Sequence, residues 1–278
     1  MNILLTGSRG FIGSHLIKAL RARGNNVIAW DLRDGLDIRA IESIDVRGMD
    51  AICHHAADSV LGAGMMSTVQ HNILGTVALI EAAKQAGVKH FVFASTGAVY
   101  DDLDILTEES PIAARTAYAA SKIAGEMYLQ ISGLSHTIFR YGNVYGEGQV
   151  TKGESALIPH ALYHLIDGKP FAIHGDGTKA RDWVYVGDIV KANVLAIEGK
   201  VNGTFNLGTG QSHSVSFICT LLAGLCGKPE TVFAHDAEIP GEATNVQIVS
   251  DKAWSEMGWR AETDLTVGLQ RTVEAWGK

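Results

Sequence analysis

A doubly wound α/β fold, a parallel sheet covered by helices on both faces, is predicted by three features of the sequence. Short apolar, β-rich runs alternate with longer helix-like stretches through the first half of the 278 residues. Those runs are continuously apolar, which is how strands buried on both faces read. A glycine-rich segment, "TGSRGFIG" at 6–13, joins the first run directly to the first helical stretch.

The spacing predicts strands at 2–6 (NILLT), 26–31 (NVIAWD), 50–55 (DAICHH), 89–95 (KHFVFAS) and 136–140 (HTIFR), with helices at 11–23, 69–86 and 117–131. Gly24 and Gly87 stand where the first two helices should stop. After Gly146 the rhythm shortens to a helix near 155–167, the strand PFAIH, the run DWVYV, a helix near 188–198 and a closing helix LTVGLQRTVEAW. No internal repeat or low-complexity linker divides the chain. Residues 1–150 are therefore expected as the principal domain and 151–278 as a smaller α/β lobe packed on it, with some exchange of segments.

Composition narrows the function. A net charge of −7 without a long basic run argues against nucleic acid or an anionic membrane as partner and favours a small molecule. No run approaches the roughly 18 apolar residues of a membrane span, and the N-terminus enters a strand at once, so a soluble cytoplasmic protein is expected. Cys53, Cys219 and Cys226 are an odd, unpaired set that reads as reduced structural thiols. The 11 histidines show no metal pattern, and no metal site is expected. His54 and His55 are adjacent on a strand, so their rings should point to opposite faces, beside a cofactor.

Gly7, Gly10 and Gly13 lie between a strand and a helix whose first turn holds Phe11 and Ile12, the context that a dinucleotide requires. Backbone without side chains lets a pyrophosphate approach the unpaired N–H groups of the helix end. Asp31 closes the second strand eighteen positions after Gly13, where a carboxylate accepts the ribose hydroxyls of NAD and repels the extra phosphate of NADP. Arg33 nearby is compatible with that phosphate. Tyr118 and Lys122, at i and i+4, share one helix face. An ammonium beside a phenol favours the phenolate, a general base for a sugar hydroxyl. On spacing alone, a core tyrosine with a snorkelling lysine is the commoner reading.

The ordered set "TGSRGFIG", Asp31, "DIR" at 37–39, "HHAA" at 54–57, "NILGT" at 72–76, "ASTGAVY" at 94–100, "YAASK" at 118–122, "RYGNVYG" at 140–146, "GDGTKARDWVYVGDIV" at 175–190 and "NLGTG" at 206–210 resembles the extended short-chain dehydrogenase/reductase superfamily, within it the NAD-dependent epimerase/dehydratase group. The resemblance implies a Rossmann fold with NAD, and cofactor contacts that add Asp37, Ile38, Ala56, Ala57, Asn72, Ser95 and Tyr141 to the residues above. It implies Tyr118, Lys122 and Thr96 as catalytic, with the Thr96 hydroxyl on the reacting oxygen, and Asn143 and Arg181 as substrate-binding. By themselves Thr96 also reads as a strand-end residue, Asn143 as a turn asparagine, and Arg181–Asp182 as a surface ion pair. Dehydratases of the group place acidic residues just after the threonine, and here Gly97 and Ala98 stand there. A second diphosphate-binding arginine of the group is replaced by Ile239, and the chain is shorter than typical family epimerases. The resemblance also implies a homodimer formed through the helices near 69–86 and 117–131. The expected function is C4 epimerisation of a UDP-hexose. Alternatives are a dehydrogenase of a smaller sugar, sugar acid or hydroxy acid, and a non-catalytic NAD-binding sensor, against which the intact Tyr118, Lys122 and Thr96 argue.

Overall fold

The apolar runs build the sheet. The computed structural model describes residues 1–40, 45–59, 64–151, 156–238 and 244–276. Its first half runs β1 (Asn2–Thr6), α1 (Phe11–Ala22), β2 (Asn26–Trp30), β3 (Ala51–His54), α2 (Met65–Thr68), a π-helical turn (Val69–Leu74), α3 (Gly75–Ala86), β4 (His90–Thr96), β5 (Ile105–Leu106), α4 (Ala117–Ile131), β6 (His136–Tyr141) and β7 (Asn143–Tyr145). The second half runs α5 (Leu157–Asp167), β8 (Ala172–His174), β9 (Ala180–Tyr185), α6 (Val186–Gly199), β10 (Gly203–Leu207), β11 (Ser212–Ser214), α7 (Val215–Leu225), β12 (Ala234–Asp236), β13 (Gln247–Ile248), α8 (Asp251–Met257) and α9 (Leu265–Glu274).

Six parallel strands form the main sheet in the order β2-β1-β3-β4-β6-β10. Alternate residues of β1 serve opposite layers. Ile3 and Leu5 join Leu16 and Leu20 of α1 and Ile189 and Ile197 of α6, whereas Leu4 joins Leu79 and Ile80 of α3 and Leu129 of α4. Burial on both faces explains why no polar alternation marks these strands. The chain leaves β1 for β2 on one side and returns past it to β3 on the other. That reversal opens a crevice at the carboxyl ends of β1 and β3, the place where such sheets bind ligands.

Several elements differ from the sequence expectation or add to it. The helix expected at 69–86 begins at Met65 and contains the π-helical turn, whose wider winding no 3.6-residue spacing reveals. α7 was absent from the expectation because VSFICTLLAGL is apolar nearly all round and carries no period. α6 packs on α1 and β10 pairs with β6, so residues 186–207 belong with the principal sheet. The smaller lobe has a three-stranded sheet, β11-β9-β7, and helices α5, α7 and α9. Its Leu162, Leu222 and Leu269 belong to the same apolar cluster as Leu5 and Phe205, so the two parts share one core. No helix among the described residues is long and apolar enough to cross a membrane.

Candidate active site

The glycine loop fits a dinucleotide by its backbone. Gly7 has φ +70°, and a Cβ on it would lie 2.6 Å from the Ala56 nitrogen. A Cβ on Gly13 would lie 2.1 Å from the Gly7 carbonyl oxygen. The backbone of His55 and Ala56, just after β3, thus presses directly on the loop. No side chain caps α1 at Gly10, which leaves the N–H groups of its first turn, Phe11 and Ile12 among them, at the crevice. Ser8 Oγ in the same loop is buried without a hydrogen-bond partner among the described residues. A cradle closed to any Cβ and a buried polar atom left for a ligand are what a bound pyrophosphate requires.

Asp31 shapes this cradle as well as facing it. Its two carboxylate oxygens accept the N–H groups of Arg33 and Arg9, both at 2.9 Å, and the Arg33 guanidinium donates to the Arg9 carbonyl at 2.6 Å. Each oxygen keeps a further lone pair for a ribose hydroxyl. Asp31→Ala should therefore lower NAD affinity by at least about tenfold, since hydrogen bonds to a charged group contribute ~1.5–3 kcal/mol each. It should also narrow the preference for NAD over NADP, because Arg9 and Arg33 would remain. Parallel titrations of the two cofactors check this, and equal wild-type affinities would contradict the assignment. Ile38 packs on Gly75, where a Cβ would meet its Cδ1 at 2.7 Å. The Asp37 carboxylate is held by Arg39 Nε at 2.8 Å.

Several predicted cofactor residues have their side chains engaged within the protein. Asn72, on the π-helical turn, accepts the Asp58 N–H at 2.7 Å and donates to the Asp58 carbonyl at 3.0 Å and to Ser121 Oγ at 2.9 Å. It ties the loop after β3 to α4. The Ser95 hydroxyl donates to Glu126. The Tyr141 hydroxyl meets Asn193 Nδ2 at 3.0 Å and His55 Nε2 at 3.2 Å. His54 and His55 do point to opposite layers, but His54 is a core residue bridged between Thr6 and Thr76 at 2.7 and 2.8 Å.

Thr96 ends β4, and its hydroxyl accepts the Ala98 N–H at 3.1 Å as the cap of a short turn at 97–99. α4 packs on that turn and on β4, which brings Tyr118 and Lys122 to the same end of the strand. Lys122 is fully buried, with Nζ 5.7 Å from the centre of the Tyr118 ring and donating to the Ala94 carbonyl at 2.6 Å. Burial, opposed by Glu126, lowers its ammonium to about 8. The turn is tight at Gly97: a Cβ would meet Ile248 Cδ1 at 2.5 Å and the Tyr141 carbonyl at 3.2 Å, so a side chain there requires the Ile248 methyl to shift.

Asn143 and Arg181 lie on the adjacent strands β7 and β9, Asn143 in register with Trp183. The surface ion pair expected as an alternative for Arg181 and Asp182 is not formed. Asp182 is fully buried and accepts Thr209 N–H and Oγ1–H, both at 2.8 Å, Gly210 N–H at 2.9 Å and Ile248 N–H at 3.1 Å. Neighbours on a strand point to opposite faces, which separates the two side chains. This clamp, and the Glu126–Arg140 pair behind Lys122, escaped the sequence reading, because nothing local marks a carboxylate whose partners are distant backbone groups. Ile239 lies outside the described residues.

A model of the NAD dependent epimerase/dehydratase family matches residues 3–208. A UDP-glucose 4-epimerase of Mycolicibacterium smegmatis is 33% identical over 310 residues, covering 99% of this chain and 98% of the relative. A dTDP-glucose 4,6-dehydratase of Haemophilus influenzae is 32% identical over 331 residues, covering 99% and 97%. Among solved structures, the UDP-glucose 4-epimerase of Thermotoga maritima with UDP-glucose superposes with a TM-score of 0.92 at 30% identity, covering 99% of this chain and 98% of that one. With the glycine cradle, Asp31 and the Tyr118–Lys122 pair all inside the matched stretch, the chain belongs to the NAD dependent epimerase/dehydratase family.

Proposed function

We propose that this chain is an NAD-dependent epimerase acting at C4 of a UDP-hexose. The observation that carries the choice within the family is the turn after Thr96. Elimination of water needs an acid to protonate the leaving hydroxyl, yet neither Gly97 nor Ala98, the two residues after Thr96, has a proton to give. What remains at that end of β4 is a base and its cation. Tyr118 takes the proton of the C4 hydroxyl, Lys122 stabilises the phenolate, and Thr96 holds the reacting oxygen. NAD, when bound, supplies the acceptor and donor of hydride. Arg181 suits a diphosphate, because a planar guanidinium can engage phosphate oxygens in pairs. The exposed apolar residues Leu74, Met127, Tyr128 and Ile131, at the start of α3 and along α4, support a homodimer joined through these helices. Free cysteines at 53, 219 and 226 suit the reducing cytoplasm.

The test is cofactor stoichiometry. With UDP-glucose, UDP-galactose should accumulate over many turnovers while reduced cofactor never exceeds the enzyme concentration, since each cycle returns what it removes. Steady release of reduced cofactor, with an absolute requirement for added NAD and no C4 epimer formed, would establish the dehydrogenase alternative instead.

A further inference from the structure

Behind Lys122 lies a polar cluster to which the proposed reaction gives no role. Glu126 and Arg140 are 2% and 4% exposed. Arg140 holds the Glu126 carboxylate through Nη2 at 2.6 Å and Nε at 3.1 Å, and the Ser95 hydroxyl donates to Glu126 Oε1. Arg140 Nη1 donates to the Tyr100 hydroxyl at 3.0 Å, which in turn donates to Asn206 Oδ1 at 2.6 Å. Stability explains such a cluster poorly, because desolvating two charges offsets most of their attraction. Its position explains it better. Glu126 follows Lys122 by one helical turn on the same face of α4. Ser95 follows Ala94, whose carbonyl Lys122 holds, and Arg140 approaches from β6, in register with Ser95.

We infer that Glu126, braced by Arg140 and Ser95, is a positioning residue for the Tyr118 chemistry, the counter-charge that keeps the buried Lys122 side chain ionised beside the phenol. The inference rests on the base assignment above. A lysine removed from water loses its proton readily unless an anion shares its enclosure. The backbone carbonyl of Ala94 fixes where Lys122 points but carries no net charge. Glu126 is the acidic group that opposes the effect of burial on Lys122.

Other titratable groups surround this pair. Tyr118 is on α4, His54 and His55 lie at the end of β3, Tyr141 is on β6, and Tyr100 stands behind Arg140. Burial and then Lys122 hold His54 well below its usual range and His55 at about 3. Burial raises Tyr100 to about 12 and Tyr141 further still. These four keep one charge state around neutral and mildly alkaline pH, so a titration there reads Lys122 and Tyr118.

The test is the ionisation of Lys122 itself, read by carbon-13 lysine NMR with Lys122→Arg assigning the resonance, beside the pH profile of kcat. In Glu126→Gln the Lys122 midpoint should fall by about one pH unit or more, a tenfold change in the proton equilibrium. The alkaline edge of kcat should move down with it, while KM and NAD affinity stay within about threefold, as for a group acting on the chemical step alone. Removing one partner of a buried pair endangers folding, so Glu126→Gln/Arg140→Met, which removes both charges of that pair, is the second variant, and its midpoint should fall in the same direction by less, because the repulsion of Arg140 is lost with the attraction of Glu126. Ser95→Ala should shift the midpoint less, in the same direction. An unchanged midpoint in a folded variant without Glu126 overturns the inference. A shifted midpoint in a protein inactive on every UDP-hexose supports it and overturns the proposed substrate instead.

Discussion

Tyr118→Phe should lower kcat by ~10²–10⁴-fold, the usual cost of losing a general acid–base, while NAD binding persists. The substitution removes one oxygen and keeps the ring that lies 5.7 Å from Lys122 Nζ, so α4 and its packing on β4 stay in place. Turnover within a few-fold of wild type would show that another group moves the proton. The same pair sets the pH response. Burial holds Lys122 at about 8, so activity that needs its charge should decline above that pH. Its contribution to stability runs the other way. Between about 8 and the unfolded value of about 10.4, the unfolded chain binds the extra proton, so rising pH favours the folded state. Opposite trends of kcat and melting temperature across that window are the signature to measure.

Asp182→Ala should cost roughly 2–6 kcal/mol, because the buried Ile248 N–H and the half-buried Gly210 N–H lose their acceptor, at about 1–3 kcal/mol for each unmet donor, while the exposed Thr209 can turn to water. At 2–4 °C per kcal/mol for a chain of this size class, the melting temperature should fall by roughly 4–24 °C. Thermal unfolding followed by circular dichroism checks it, and a shift within about 2 °C would mean that water or a relaxed backbone satisfies those donors. Function should suffer with stability. Asp182 joins β9, which carries Arg181, to residues 209–210 and 248. This residue was legible in the sequence only as half of an Arg–Asp pair, and the structure assigns it a different and larger task.

The sequence by itself determined the parallel sheet, the dinucleotide loop, the helix bearing Tyr118 and Lys122, and the family. These are local facts. Continuous apolar runs report two covered faces, the glycines report backbone that tolerates no Cβ, and a spacing of four reports one side of a helix. Tertiary structure alone decided which polar side chains remain free for a ligand. Asn72, Ser95 and Tyr141 carry groups suited to a cofactor, but Asp58, Glu126 and Asn193 engage them across separations of 14, 31 and 52 residues. It also decided that residues 186–207 complete the principal sheet and that Ile248, from the far end of the chain, packs against Gly97. The physical reason is common to all of these. A hydrogen bond or a steric limit between distant residues depends on where the fold places them, and neither partner records the other in its own neighbourhood.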